Sequence, residues 1–180
     1  MKLNIPNALT ILRIVAIPLV IVVFYAPLPR SGEIAATIFA IAGFTDWFDG
    51  YLARKLGQTS PFGAFLDPVA DKLMVAAVMV IIVERFGGIW LAAAAIIIIG
   101  REITVSALRE WMAELGERSK VKVSMLGKIK TTVQMFALFF LLYERPLLGL
   151  PTFQIGFWLL MVAAVLTLWS MIVYLRSAAR

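Results

Sequence analysis

The sequence predicts an all-α integral membrane protein of six transmembrane helices, organised as one domain over residues 1–180. Three observations predict it. Of the 180 residues, 62% are hydrophobic and the mean hydropathy is +0.93, against roughly 45 to 50% apolar content in a soluble domain. The apolar residues fall into six segments, each near the about 20 residues that one crossing needs. The charged residues collect in alternate connections. So little chain remains between the segments that no separate soluble catalytic domain fits. Cysteine and histidine are absent, which excludes disulfides, thiolate or imidazole metal sites and Cys- or His-based nucleophilic schemes.

Residues Met1 to Asn7 form a short polar lead, with Pro6 and Asn7 placed to start a helix. The first crossing runs from about Ala8 to Tyr25 and stops at Ala26-Pro-Leu-Pro29. More apolar segments follow at once, and no small-x-small cleavage site follows Phe24, so this segment reads as a retained helix and not a signal peptide. Its Arg13 lies about one and a half turns in, either snorkelling to the headgroups or reaching a site. The second crossing starts near Ser31 and ends near Lys55, with Asp46, Asp49 and Arg54 in its latter part. Gly57 and Pro61 bracket a turn, and the third crossing, about Pro61 to Phe86, carries Gly63, Asp67 and Asp71 in its first half. Gly87-Gly88 turns the chain into a fourth crossing, about Ile89 to Leu115, which holds Arg101, Glu102, Arg109 and Glu110. A fifth, about Met125 to Tyr143, opens on Gly127-Lys128-Ile-Lys130. The sixth runs from about Phe153 to Leu175, behind Pro146 and Pro151.

Charge fixes the expected orientation. One set of connections holds only Arg30, Arg85 and Arg145, each with a glutamate nearby, whereas the other side holds Lys2, Arg54, Lys55, Arg118, Lys120, Lys122, Arg176 and Arg180. By the positive-inside rule, both termini and the aspartates face the cytoplasm. The net charge of +6 has the same origin. Connections this short offer no face for nucleic acid, so none is expected as a partner.

Asp46, Asp49, Asp67 and Asp71 are the only aspartates in the chain. On helices, Asp46 and Asp49 lie one turn apart, and Gly63, Asp67 and Asp71 keep a four-residue spacing. A carboxylate inside an apolar helix costs roughly 2.5 to 3.5 kcal/mol on insertion scales and is read as functional by default. Four that converge across a helical hairpin need cations, and oxygen-only ligands favour a hard ion such as Mg2+, Mn2+ or Ca2+. The bland reading pairs them with Arg54 or Lys72, two cations against four anions. Gly50, Ala53 and Gly63 near the same faces serve close helix packing, or let a bulky ligand approach the backbone.

A second group is basic: Arg101, Arg109, Lys128 and Lys130. Arg101 and Arg109 are eight residues apart, near one helix face. Glu102 and Glu110 could neutralise them in a structural network; otherwise they form an anion site, with arginine suited to grip phosphate. A carboxylate–metal cluster beside a cationic pocket can hold a diphosphate and bring up a second, anionic substrate for phosphoryl transfer.

The stretch from Asp46 to Asp71 resembles the full signature of the CDP-alcohol phosphotransferases, D-x-x-D-G-x-x-A-R-x8-G-x-x-x-D-x-x-x-D, with all eight fixed positions matched over 26 residues. Three flanking stretches are similar to those of the bacterial phosphatidylglycerophosphate synthases: Pro6 to Arg13, Gly100-Arg-Glu-Ile-Thr104 through Trp111, and Val123 to Gln134. The resemblance covers nearly the whole chain. It implies transfer of a phosphatidyl group from CDP-diacylglycerol to the 1-hydroxyl of sn-glycerol 3-phosphate, releasing CMP. It further implies that Asp46, Asp49, Asp67 and Asp71 hold two divalent ions, Mg2+ or Mn2+, and that Asp71 is the general base. Gly50, Arg54 and Gly63, joined by Asn7 and Thr10, would line the CDP site, and Arg101, Arg109, Lys128 and Lys130 would recognise the acceptor phosphate. Enzymes of this kind are six-helix homodimers among the lipids of the bacterial inner membrane, with a polar cavity open to the cytoplasmic leaflet. The rivals are the same chemistry on inositol phosphate, serine or phosphatidylglycerol, and, outside the class, a divalent-cation channel or carrier. The basic pocket argues against serine. No second acidic site marks an exit path for an ion.

Overall fold

The computed structural model describes residues 5–56, 61–116 and 125–178; within them, the side chains of residues 5–7, 46–56, 61, 62, 64, 125, 126, 128, 177 and 178 lie outside the described set. Among the described residues there are six helices: α1 (Ile5–Tyr25), α2 (Ser31–Leu56), α3 (Pro61–Phe86), α4 (Ile89–Glu114), α5 (Met125–Tyr143) and α6 (Thr152–Ala178). No strand occurs among them, only one bridge between Leu147 and Leu150. The expected boundaries hold to within about three residues. The largest differences are at the start of α1, where Pro6 sits in a first turn that needs no N–H from it, and at the end of α6, which runs three residues beyond Leu175. At the α3–α4 turn, Gly87 and Gly88 take φ of 64° and 90°, a region closed to most side chains.

The helices close into a ring in which α1 packs on α2 and α3, α2 on α5, α5 on α6, α6 on α4, and α4 on α3. Chain order and ring order differ. The apolar core fills only one end: Val20 and Phe24 of α1, Ala35 to Ala42 of α2, Met74 to Ile82 of α3, Leu91 to Ile98 of α4, Ala137 to Leu142 of α5 and Leu160 to Ala164 of α6. The opposite halves carry Arg13, Asp67, Asp71, Arg101, Glu102, Arg109 and Lys130, around a small cluster of Val105, Met112 and Tyr174. Burying charge at one end requires the other to supply most of the apolar packing.

The outward surface is apolar: Phe44 is 75% exposed, Ile96 73% and Val165 67%. Exposure of this extent marks a lipid-facing belt. Among the described residues, three stretches are long and apolar enough to cross a membrane, Ala8–Tyr25, Ile89–Glu114 and Thr152–Arg176, whereas those in α2 and α5 are shorter, Ser31–Thr45 and Ile129–Tyr143. Trp90 and Trp111, both exposed, bracket α4 at 21 residues, or about 31 Å of helix, close to the thickness of a hydrocarbon core. Arg101 falls midway between them.

Close contact between α5 and α6 depends on Gly156. A Cβ there would lie 2.8 Å from Leu141 Cγ and 3.0 Å from both the Ala137 carbonyl oxygen and the Leu141 nitrogen. Two of those neighbours are backbone and cannot rotate away. Gly156→Ala is expected to destabilise by about 1–3 kcal/mol, read as a fall of several degrees in Tm in detergent. A Tm unchanged from wild type would show that the two helices separate at no cost.

Candidate active site

The polar half is built from α1 and α3 outward. Thr10 and Arg13 lie one turn apart on α1, and Asp67 and Asp71 one turn apart on α3, so two short stripes face each other. Thr10 Oγ1 donates to Asp67 Oδ1, and Arg13 Nη1 donates to Asp71 Oδ1 at 2.8 Å. Thr10 and Arg13 are almost completely buried, whereas the Asp71 side chain is 46% exposed. Arg13 therefore does not snorkel: its guanidinium turns inward and fixes one carboxylate oxygen, while the carboxylate stays half exposed. Gly63 is buried one turn before Asp67. Lys72, the cation that sequence reading set against the aspartates, donates instead to Ser106 Oγ and ties α3 to α4.

On α4, α5 and α6 the basic residues meet. Glu102 Oε1 accepts from Lys130 Nζ at 2.6 Å and from Arg101 Nη1 at 3.2 Å. Lys130 is 1% exposed and Arg101 7%. The Arg101 and Arg109 guanidinium carbons lie 5.4 Å and 5.7 Å from the centroid of the Tyr174 ring, a cation–π arrangement, and Arg109 Nη2 reaches the Tyr174 hydroxyl at 3.4 Å. Three of the four expected cations are thus gathered. Glu102 neutralises part of their charge, as the structural reading anticipated, but one carboxylate against Arg101, Arg109 and Lys130 leaves two positive charges, the complement of a phosphate dianion. Arg101 Nε, buried and without a hydrogen-bond partner among the described residues, leaves a donor for such a ligand.

The side chains of Asn7, Asp46, Asp49, Gly50, Arg54 and Lys128 lie outside the described residues. Helix α2 carries Asp46 to Arg54 in its last third, α1 contains Asn7 and α5 contains Lys128. Among the described residues no group of three carboxylates could hold a metal; Asp67 and Asp71 stand as a pair of oxygen donors. One contact residue was missed in sequence: Tyr174 is one aromatic in an apolar helix with nothing periodic to set it apart. Arg13 was left open between snorkelling and a site, and the structure turns it inward onto Asp71.

A family model described as CDP-alcohol phosphatidyltransferase matches residues 3–169. Proteins from Salmonella choleraesuis (strain SC-B67), Shigella flexneri and Escherichia coli (strain K12) are each 54% identical over 178 residues, covering 99% of this chain and 96% of the relative. Each bears the name CDP-diacylglycerol--glycerol-3-phosphate 3-phosphatidyltransferase. A match of this length, with the aspartate signature and the paired polar stripes at one end of the helix ring, places the chain in the CDP-alcohol phosphatidyltransferase family.

Proposed function

We propose that this protein transfers the phosphatidyl group of CDP-diacylglycerol to sn-glycerol 3-phosphate, giving phosphatidylglycerophosphate and CMP. The observation that carries the reading is the pairing, at one end of the bundle, of a carboxylate stripe (Asp67 and Asp71) with a cationic pocket of two excess positive charges. Relatives that share 54% of residues and nearly full length bear the name of that activity.

The chain forms a single domain over residues 1–180. Its six helices cross the bacterial inner membrane with both termini in the cytoplasm, and the polar cavity opens to the cytoplasmic leaflet. Charge asymmetry supports that orientation. Lipid tails lie outside the helix ring, so a lipid donor meets a water-soluble acceptor at the interface. Two copies pair as a homodimer.

Members of this family generally use divalent metal ions. The donor set fits a hard cation: the chain has no histidine or cysteine, and Asp71 is half open to the cavity. Asp46, Asp49, Asp67 and Asp71 would hold two ions, Mg2+ or Mn2+. When bound, such ions neutralise the diphosphate and the charge that develops on departing CMP. The protein's own residues do the rest. Thr10 holds Asp67 and Arg13 holds Asp71, so both carboxylates are pre-oriented. Gly50, Arg54 and Gly63, with Asn7 and Thr10, receive the CDP moiety. Arg101, Arg109, Lys128 and Lys130 seat the acceptor phosphate, and Tyr174 holds the two arginines apart. Asp71 takes the proton from the acceptor's 1-hydroxyl as that oxygen bonds to the β-phosphorus and the bond to CMP breaks.

The test is CMP release by purified protein with CDP-diacylglycerol and Mg2+, supplied separately with glycerol 3-phosphate, inositol phosphate, serine or phosphatidylglycerol. Release with glycerol 3-phosphate alone is expected. Release with a different acceptor would replace the substrate, and none with any acceptor would remove the reading. Lys130→Met is expected to raise KM for glycerol 3-phosphate by about 10- to 100-fold, as loss of a charge-assisted contact does, with KM for CDP-diacylglycerol unchanged. A parallel rise in both would assign Lys130 to the fold and not to the acceptor.

A further inference from the structure

Gln134 is 3% exposed on α5, and its Oε1 is buried with no hydrogen-bond partner among the described residues. Buried amide oxygens are rarely left unsatisfied, because the lost hydration has no replacement. The position of this one gives it a use. Lys130 lies one turn before it on the same face of α5, already engaged with Glu102, while Ala137 and Leu138 on the following turn are fully buried in the apolar core. The neighbouring Met135 packs under α2 so closely that a Cβ on Gly43 would lie 2.9 Å from its methyl carbon, and Asp46 follows three residues later on that helix. Gln134 therefore sits where the apolar core gives way to the polar half of the bundle, one turn deeper than Lys130.

An amide carbonyl at that place is neutral and can only accept. It gains nothing from a phosphate, which has no proton to give when ionised, but it can receive an O–H. We propose that Gln134 is a specificity-determining residue for the acceptor, its Oε1 taking a hydrogen bond from an acceptor hydroxyl that does not react. The site then selects a phosphate ester carrying two hydroxyls, one to be phosphatidylated and one to be read. The inference rests on the phosphatidyl-transfer reading above.

The experiment compares sn-glycerol 3-phosphate with 3-hydroxypropyl phosphate, which keeps the phosphate and the primary alcohol and lacks the middle hydroxyl. Wild-type enzyme is expected to favour glycerol 3-phosphate in kcat/KM by about tenfold or more, since a site built to bond a hydroxyl rejects the analogue lacking it. Gln134→Leu, or Gln134→Met where the leucine variant does not fold, is expected to lower kcat/KM for glycerol 3-phosphate by about tenfold. The analogue's value should stay within about twofold, so the preference collapses. Wild-type enzyme that uses both acceptors equally overturns the inference without any variant. So does a variant that loses both activities in parallel, the mark of a structural role. No CMP from wild type with either acceptor would overturn the phosphatidyl-transfer reading, and the inference with it.

Discussion

Replacing Asp71 by asparagine is expected to lower kcat for CMP release by about 100- to 10,000-fold, the range a positioned general base contributes, while CDP-diacylglycerol binding survives. The substitution keeps shape and one oxygen, so Arg13 still has an acceptor where it now meets Asp71 at 2.8 Å; what it removes is the ability to take a proton. Asp46→Asn is expected to behave differently. On the proposed assignment Asp46 serves the metal that neutralises the diphosphate, so donor binding and turnover should fall together. The measurement is a pair: CMP release under saturating substrates, and donor protection in a thermal melt with and without Mg2+. Equal loss of donor binding in the two variants would leave no basis for giving Asp71 a separate role.

The contrast between these aspartates also shows what sequence patterning can and cannot reveal. Helix limits were readable because apolar runs of about 20 residues end at Pro, Gly and charge, and all six helices begin or end within about three residues of the limits read from those signals. Asp67 and Asp71 stood out in the sequence because a carboxylate in an apolar helix is costly, and the structure brings them against Thr10 and Arg13; the side chains of Asp46 and Asp49 lie outside the described residues. Partners across the ring were not readable. Nothing in the spacing of α1 states that Arg13 faces Asp71, 58 residues away, because the ring order of the helices is set by packing and not by sequence adjacency. The same holds for Tyr174, which meets Arg109 across 65 residues, and for Glu102, whose choice between α4 and α5 partners is made only when the helices meet. It serves both. Of the two readings offered for the basic residues, the structure shows the internal network, with Glu102 between Lys130 and Arg101; on the proposed assignment, the charge it leaves uncompensated serves the acceptor phosphate.

Arg13 carries the second large effect. Arg13→Met keeps the apolar stem and removes the guanidinium that orients Asp71, so kcat is expected to fall by about 100-fold or more, through misplacement of the base and not through lost substrate contact. KM for glycerol 3-phosphate should change little, because on the proposed assignment the acceptor phosphate is seated on α4 and α5. Stability should fall too, but by less than the about 3–5 kcal/mol of a fully buried broken pair, since Asp71 is 46% exposed and water can replace its partner. Arg13→Lys should recover only part of the rate, because an ammonium offers a point charge where the guanidinium offers a planar fork. The decisive form is a double-mutant cycle. If Arg13 acts through Asp71, then Arg13→Met in an Asp71→Asn background costs little further rate, and the two losses are strongly non-additive. Additive losses would mean that Arg13 serves the diphosphate directly, and its ion pair with Asp71 would then be a resting contact that the donor displaces.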